Sequence, residues 1–114
     1  VSAESSSGDD RRRHRRFVVK VPARIGYGSE SFPGLLKDLC KDAALVEGQR
    51  VLPLETEVSL VLSLPGTGGP LQAAGQVVRV GPGDHGGHDM AILFRDLSPA
   101  TETRIEFFIA IQEV

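Results

Sequence analysis

Tryptophan is absent from this 114-residue chain, tyrosine and cysteine occur once each, and aromatic residues make up only 5% of it. So few aromatics argue against a stacking platform for single-stranded nucleic acid. A lone cysteine, Cys40, leaves no internal disulfide and fits a reducing compartment. No apolar run approaches the roughly 18–20 residues that span a bilayer. The N-terminal stretch has no apolar core of the secretory kind. Neither a membrane span nor a signal peptide is expected, and the cytoplasm is the expected location. Strands do not alternate with helices, which argues against a doubly wound nucleotide-binding sheet. No internal repeat is visible.

Basic residues are also scarce, except in one place. Five of the 13 Lys and Arg side chains are Arg11, Arg12, Arg13, Arg15 and Arg16, interrupted only by His14. From Phe17 onward 8 basic residues face 12 acidic ones, a balance of −4, against −2 for the whole chain. A compact cation is therefore joined to a mildly anionic body. A general nucleic-acid binder spreads Lys and Arg over a face. A focused cluster fits a small anionic ligand or a local anionic partner, and generic nucleic acid is not the expected target.

At this length one domain with an ordinary core is expected. Residues 1–10, VSAESSSGDD, are small and polar without periodicity and read as a disordered tail. Residues 11–114 read as the folded domain. Phe17, Val19, Val21, Ala23, Ile25 and Tyr27 alternate with Val18, Lys20, Pro22, Arg24 and Gly26, the period of a half-buried strand. Pro22 points to an edge position or a bulge there. Further strands are expected at 32–39, from Ala44, from Glu57 to Leu64, at 71–80, and through Met90, Ile92 and Phe94. The glycine-rich stretches 65–70 and 81–87 read as hairpin loops. Ser98-Pro99 reads as an N-cap followed by proline at the first helical position. Ile105, Phe108, Ile109 and Gln112 follow at helical spacing, so a helix over about 98–112 is expected to cover one end of the sheet. The fold class is all-β with a C-terminal helix: a small six-stranded antiparallel, Greek-key-like barrel.

Two segments can meet at one rim of such a barrel: the arginines just before the first strand, and the stretch 38–43 at the end of the second. Guanidinium forks match phosphate oxygens and the O6/N7 edge of guanine. A carboxylate at Asp38 accepts from the guanine N1–H and N2–H₂ donors, which adenine lacks. The chemistry that fits is a guanine nucleotide bearing phosphates.

Arg11-Arg12-Arg13-His14-Arg15-Arg16 has the order RRxxxR before a strand, and Asp38-Leu39-Cys40-Lys41-Asp42-Ala43 follows in the place of [D/N]xSxxG. In that order the two segments resemble the PilZ domain, the bacterial receptor module for cyclic di-GMP. Ala44-Leu45-Val46, 51–58, 75–80, Met90–Phe94 and Leu97-Ser98-Pro99 extend the resemblance over nearly all of 11–114. The resemblance implies that Arg12 and Arg16 hold phosphates and guanine edges of an intercalated cyclic di-GMP dimer, with Arg11 assisting and Asp38 taking the guanine donors. Cys40 stands where serine is usual, and Ala43 where glycine is usual. It further implies a signalling receptor, not an enzyme, with no cofactor and no metal. Binding would order the arginine segment and change the surface offered to a protein partner in motility, pilus or polysaccharide machinery. Because of Cys40 and Ala43, an alternative is a degenerate module that docks its partner constitutively without the nucleotide.

Other constellations carry less. Asp84-His85-Gly86-Gly87-His88-Asp89 invites a metal reading, but its spacing matches no closed zinc site and its glycines serve a hairpin. Cys40 as a nucleophile lacks a base and an oxyanion hole. Glu55 and Glu57 flank a strand start as solvated acids.

Overall fold

The computed structural model describes residues 17–66 and 68–112, with backbone alone at 17–20 and at 112. The arginine segment and the polar stretch before it lie outside the described residues. Six strands, β1 (Phe17–Tyr27), β2 (Glu30–Leu39), β3 (Ala43–Gly48), β4 (Glu57–Leu62), β5 (Leu71–Pro82) and β6 (His88–Arg95), are followed by one helix, α1 (Pro99–Gln112). All pairings are antiparallel and the sheet closes on itself in the order β1-β2-β3-β6-β5-β4. The expected six-stranded barrel with a C-terminal helix is the fold observed.

Alternation builds the interior. Val21, Ala23 and Ile25 of β1, Val58, Leu60 and Leu62 of β4, and Met90 and Ile92 of β6 point inward and are buried. With Leu36, Val46 and Val77 they form one hydrophobic cluster, the main favourable term holding the barrel together. Pro22 sits next to a register shift between Val18 and Val21; its carbonyl accepts from the Ser63 N–H at 3.4 Å, and with no N–H to return that bond the β1–β4 ladder ends there. The β1–β2 turn relies on Gly28 at φ 62°, a left-handed backbone that a side chain resists.

Helix α1 starts as its sequence indicates: the Thr101 N–H donates to Ser98 Oγ at 3.1 Å, and Pro99 fills the first helical position. Ile105 and Phe108 belong to the same buried cluster as the strands, so the helix covers the barrel interior. Phe107 and Ile111, which flank that stripe, remain exposed. Among the described residues no helix is long and apolar enough to cross a membrane.

Candidate functional site

Two parity breaks create the site. In a regular strand Leu36 and Leu39, three apart, would face opposite sides. Both are fully buried, because the β2–β3 register jumps from Leu36↔Val46 to Asp38↔Leu45. One extra residue, Lys37, makes a β-bulge, and Asp38 is thereby turned away from the core onto the outer face. The same device recurs in β5, where the register jumps from Val77↔Ile92 to Arg79↔Ala91. Val78 is the extra residue there, and Arg79 turns outward.

The registers then align a single row across four strands: Asp38 of β2 opposite Leu45 of β3, Leu45 opposite Ala91 of β6, and Ala91 opposite Arg79 of β5. At about 4.8 Å per strand the row spans about 14 Å. Its middle is apolar, with an acid at one end and a guanidinium at the other. A small cavity of about 50 Å³ opens along it, lined by these four residues together with Cys40 and Ala43. Asp38 is 8% exposed and Cys40 7% exposed.

The β2–β3 connection is tight. The Cys40 N–H donates to the Ala43 carbonyl at 2.9 Å. Glu55 and Asp96 are the non-glycine residues with positive φ among those described, so Ala43 stands in ordinary extended backbone. That position therefore imposes no conformational need for glycine, and the methyl matters only where it meets a ligand. Of the six expected site residues, Asp38, Cys40 and Ala43 are brought together on one cavity; Arg11, Arg12 and Arg16 lie outside the described residues.

A second polar cluster adjoins the row. Lys37, only 12% exposed, donates from Nζ to Asp89 (2.9 and 3.0 Å), and it pairs with Asp84 at 2.9 Å and Glu47 at 3.4 Å. Burial pulls its ammonium pKa down, but the hydrogen bonds to Asp89 and Asp84 and the charge of Asp89 outweigh that and hold it above the usual lysine value. Glu47, 5% exposed, sits beneath the β5–β6 hairpin. Its Oε2 accepts from the backbone N–H groups of His85 (2.9 Å) and Gly87 (3.3 Å), and His85 Nδ1 lies 3.0 Å from Oε1. The His85 imidazole and N–H, with smaller help from Gly87 and Lys37, bring its carboxyl down to about 2 against the opposing effect of burial. A Cβ at Gly83 would collide with the Glu47 carboxylate, so glycine lets the hairpin lie flat on the sheet. The 84–89 stretch is thus engaged structurally. Among the described residues no group of three or more His, Cys, Asp or Glu side chains is placed to hold a metal.

Arg79, Lys37 and Glu47 escape a reading by motif. The signal that marks the first two is a parity clash: Leu36 and Leu39 enclosing two charges, and an arginine inside the run Val77-Val78-Arg79-Val80.

The PilZ domain family model matches residues 10–110. No curated protein matches the chain. Solved structures do. MotI/DgrA, an inhibitor of motility from Bacillus subtilis, is 14% identical with a TM-score of 0.75, over 90% of this chain and 51% of that one. The PilZ domain of YcgR from Escherichia coli, solved with c-di-GMP, is 11% identical with a TM-score of 0.71, over 90% of this chain and 92% of that one. The PilZ domain of CeSA from a cellulose-synthesizing bacterium is 19% identical with a TM-score of 0.65, over 88% and 99%. This chain spans about half the length of MotI/DgrA and nearly all of the two isolated PilZ domains.

Proposed function

Because the chain belongs to the PilZ domain family, we propose that it is a cyclic di-GMP receptor domain acting through a protein partner, and not an enzyme. The observation that carries this reading is the bulge-made row Asp38–Leu45–Ala91–Arg79 beside Cys40 and Ala43. Asp38 offers a carboxylate to the N1–H and N2–H₂ donors of guanine. Leu45 and Ala91 give the purine face an apolar floor. Arg79 supplies a fork for phosphate or for the O6/N7 edge.

A cavity of about 50 Å³ is far smaller than a dinucleotide. We assign the remaining wall to the arginine segment: by resemblance to the family pattern Arg12 and Arg16 would meet phosphate and guanine edges, with Arg11 assisting. Binding fixes that segment against the row, and charge-assisted hydrogen bonds offset the entropy of ordering it. The surface so formed is what a cytoplasmic partner in motility, pilus or polysaccharide machinery would read. The YcgR domain, solved with c-di-GMP, supports the choice of ligand. MotI/DgrA, an inhibitor of motility, supports a motility setting.

The competing reading, a module that docks its partner without nucleotide, draws on Cys40, whose thiol is a weaker hydrogen-bond partner than the usual serine. Calorimetric titration with cyclic di-GMP separates the two. The receptor reading expects saturable heat that Arg16→Ala and Asp38→Ala each reduce at least about tenfold in affinity. Absence of heat at high micromolar nucleotide would overturn it, and binding that survives both substitutions would overturn the site.

A further inference from the structure

Bulges are local irregularities, and an unsupported one can slip back into register. In β2 the inserted residue is itself clamped. Lys37 reaches three carboxylates from three places: Glu47 of β3, Asp89 of β6 and Asp84 of the β5–β6 hairpin. Three acids around one lysine leave excess negative charge, and two of them, Glu47 and Asp89, are largely buried. Removing the cation would leave them facing one another with little water. Glu47 is in turn fixed by the His85 and Gly87 N–H groups. The anchor for Lys37 is therefore rigid, and Lys37 immediately precedes Asp38.

We propose that Lys37 is a positioning residue for the nucleotide site: its ion cluster locks the β2 bulge and so holds Asp38 on the outer face. For the affinity effect, this rests on the cyclic di-GMP reading above. With the clamp broken, the stretch from 37 to 40 loses its fixed register and opens locally, so that Asp38 is no longer held on the outer face and Cys40 loses its buried setting.

Cys40 makes this measurable without any ligand, since it is the sole cysteine, free and buried. In the full chain, Lys37→Met is expected to raise the rate of Cys40 modification by DTNB at least about fivefold through local opening, while Lys37→Arg stays near the parent rate. Phe108→Leu, in the helix that covers the barrel, serves as a control for general loss of stability. An unchanged rate in Lys37→Met, or a rise no greater than Phe108→Leu produces at equal loss of Tm, would overturn the proposal. Should Lys37→Met fail to fold, Asp89→Asn removes one carboxylate and is expected to shift the rate in the same direction; no shift would count against the clamp.

A thermodynamic cycle gives the second readout. Lys37→Met is expected to weaken cyclic di-GMP binding about tenfold in the parent and less than about twofold in an Asp38→Ala background. Equal losses in both backgrounds would show that Lys37 does not act through Asp38. If the parent binds no cyclic di-GMP, the receptor reading fails, while the thiol rates still decide whether Lys37 locks the bulge.

Discussion

Along β1 from Val21 onward, along β4 and in the first half of β5, inward and outward residues alternate over an unbroken stretch of pairing. Ala23 to Gly26 pair with Leu62 to Ser59, and Glu57 to Leu62 with Gln76 to Leu71, without a skipped residue. Along β2 and the second half of β5 the register shifts, and each shift turns a charged side chain outward that strict alternation would bury. The regular wall seals the core and leaves its outer face to residues such as Ser59 and Gln72. The bulged wall carries Asp38, Arg79 and the Lys37 cluster. A closed barrel fills its interior with packing, so chemistry must be mounted outside, and a bulge does this without emptying the core.

The contrast can be broken most forcefully from the regular side. Leu60→Ala removes a fully buried side chain and is expected to cost about 2–5 kcal/mol in urea unfolding. Cyclic di-GMP affinity of the folded protein should stay within about twofold, because Leu60 points into the core from β4, a strand the row does not cross; a larger loss would mean the two walls are coupled. On the bulged side the effects should reverse. Arg79→Ala trims an exposed side chain, so stability should change by less than about 0.5 kcal/mol, while calorimetry should show affinity falling by about 1–3 kcal/mol. Loss of stability without loss of affinity would move Arg79 out of the site.

Acid sharpens the comparison further. Glu47 titrates at about 2 when folded, below its ordinary value of 4.5. Its contribution is therefore present above pH 4.5 and lost as pH falls toward 2. Glu47→Gln should be less stable than the parent at pH 7, and the gap in Tm should close between pH 4.5 and 2. Parallel curves across that range would show that Glu47 contributes nothing through its charge. The smallest effect is expected at Ala43. Glycine there should lower stability by about 0.5–1 kcal/mol through backbone entropy, with affinity changed by less than about 1 kcal/mol. A tenfold gain in affinity would show that the methyl stands against the ligand.

Alternation alone made the strands legible, because burial of one face leaves a period of two in β1, β4 and β6. The helix was legible from Ser98-Pro99 and the spacing of Ile105, Phe108 and Ile109. Within the candidate site, Asp38, Cys40 and Ala43 were legible only through their order after the arginines. Arg79 was not, because its outward direction depends on Val78 being skipped in pairing with β6, a fact held in register and not in residue type. Lys37 and Glu47 are ten residues apart in sequence and meet only because β2 and β3 pair. The glycines at 83 and 87 read as turn formers, while the structure uses Gly83 to admit a carboxylate beneath the loop.

Closure of the sheet has a consequence for partnership. Each of the six strands has a hydrogen-bonded neighbour on both sides, so none is a full-length free edge along which a foreign peptide can add as an extra strand; one-sided stretches such as 30–33 of β2 are short. Over the doubly paired part of the sheet, a partner would meet side chains and not a free strand edge. Its specificity would then rest on whichever groups the outer face displays, and a nucleotide seated there would rewrite the recognition surface while leaving the sheet intact.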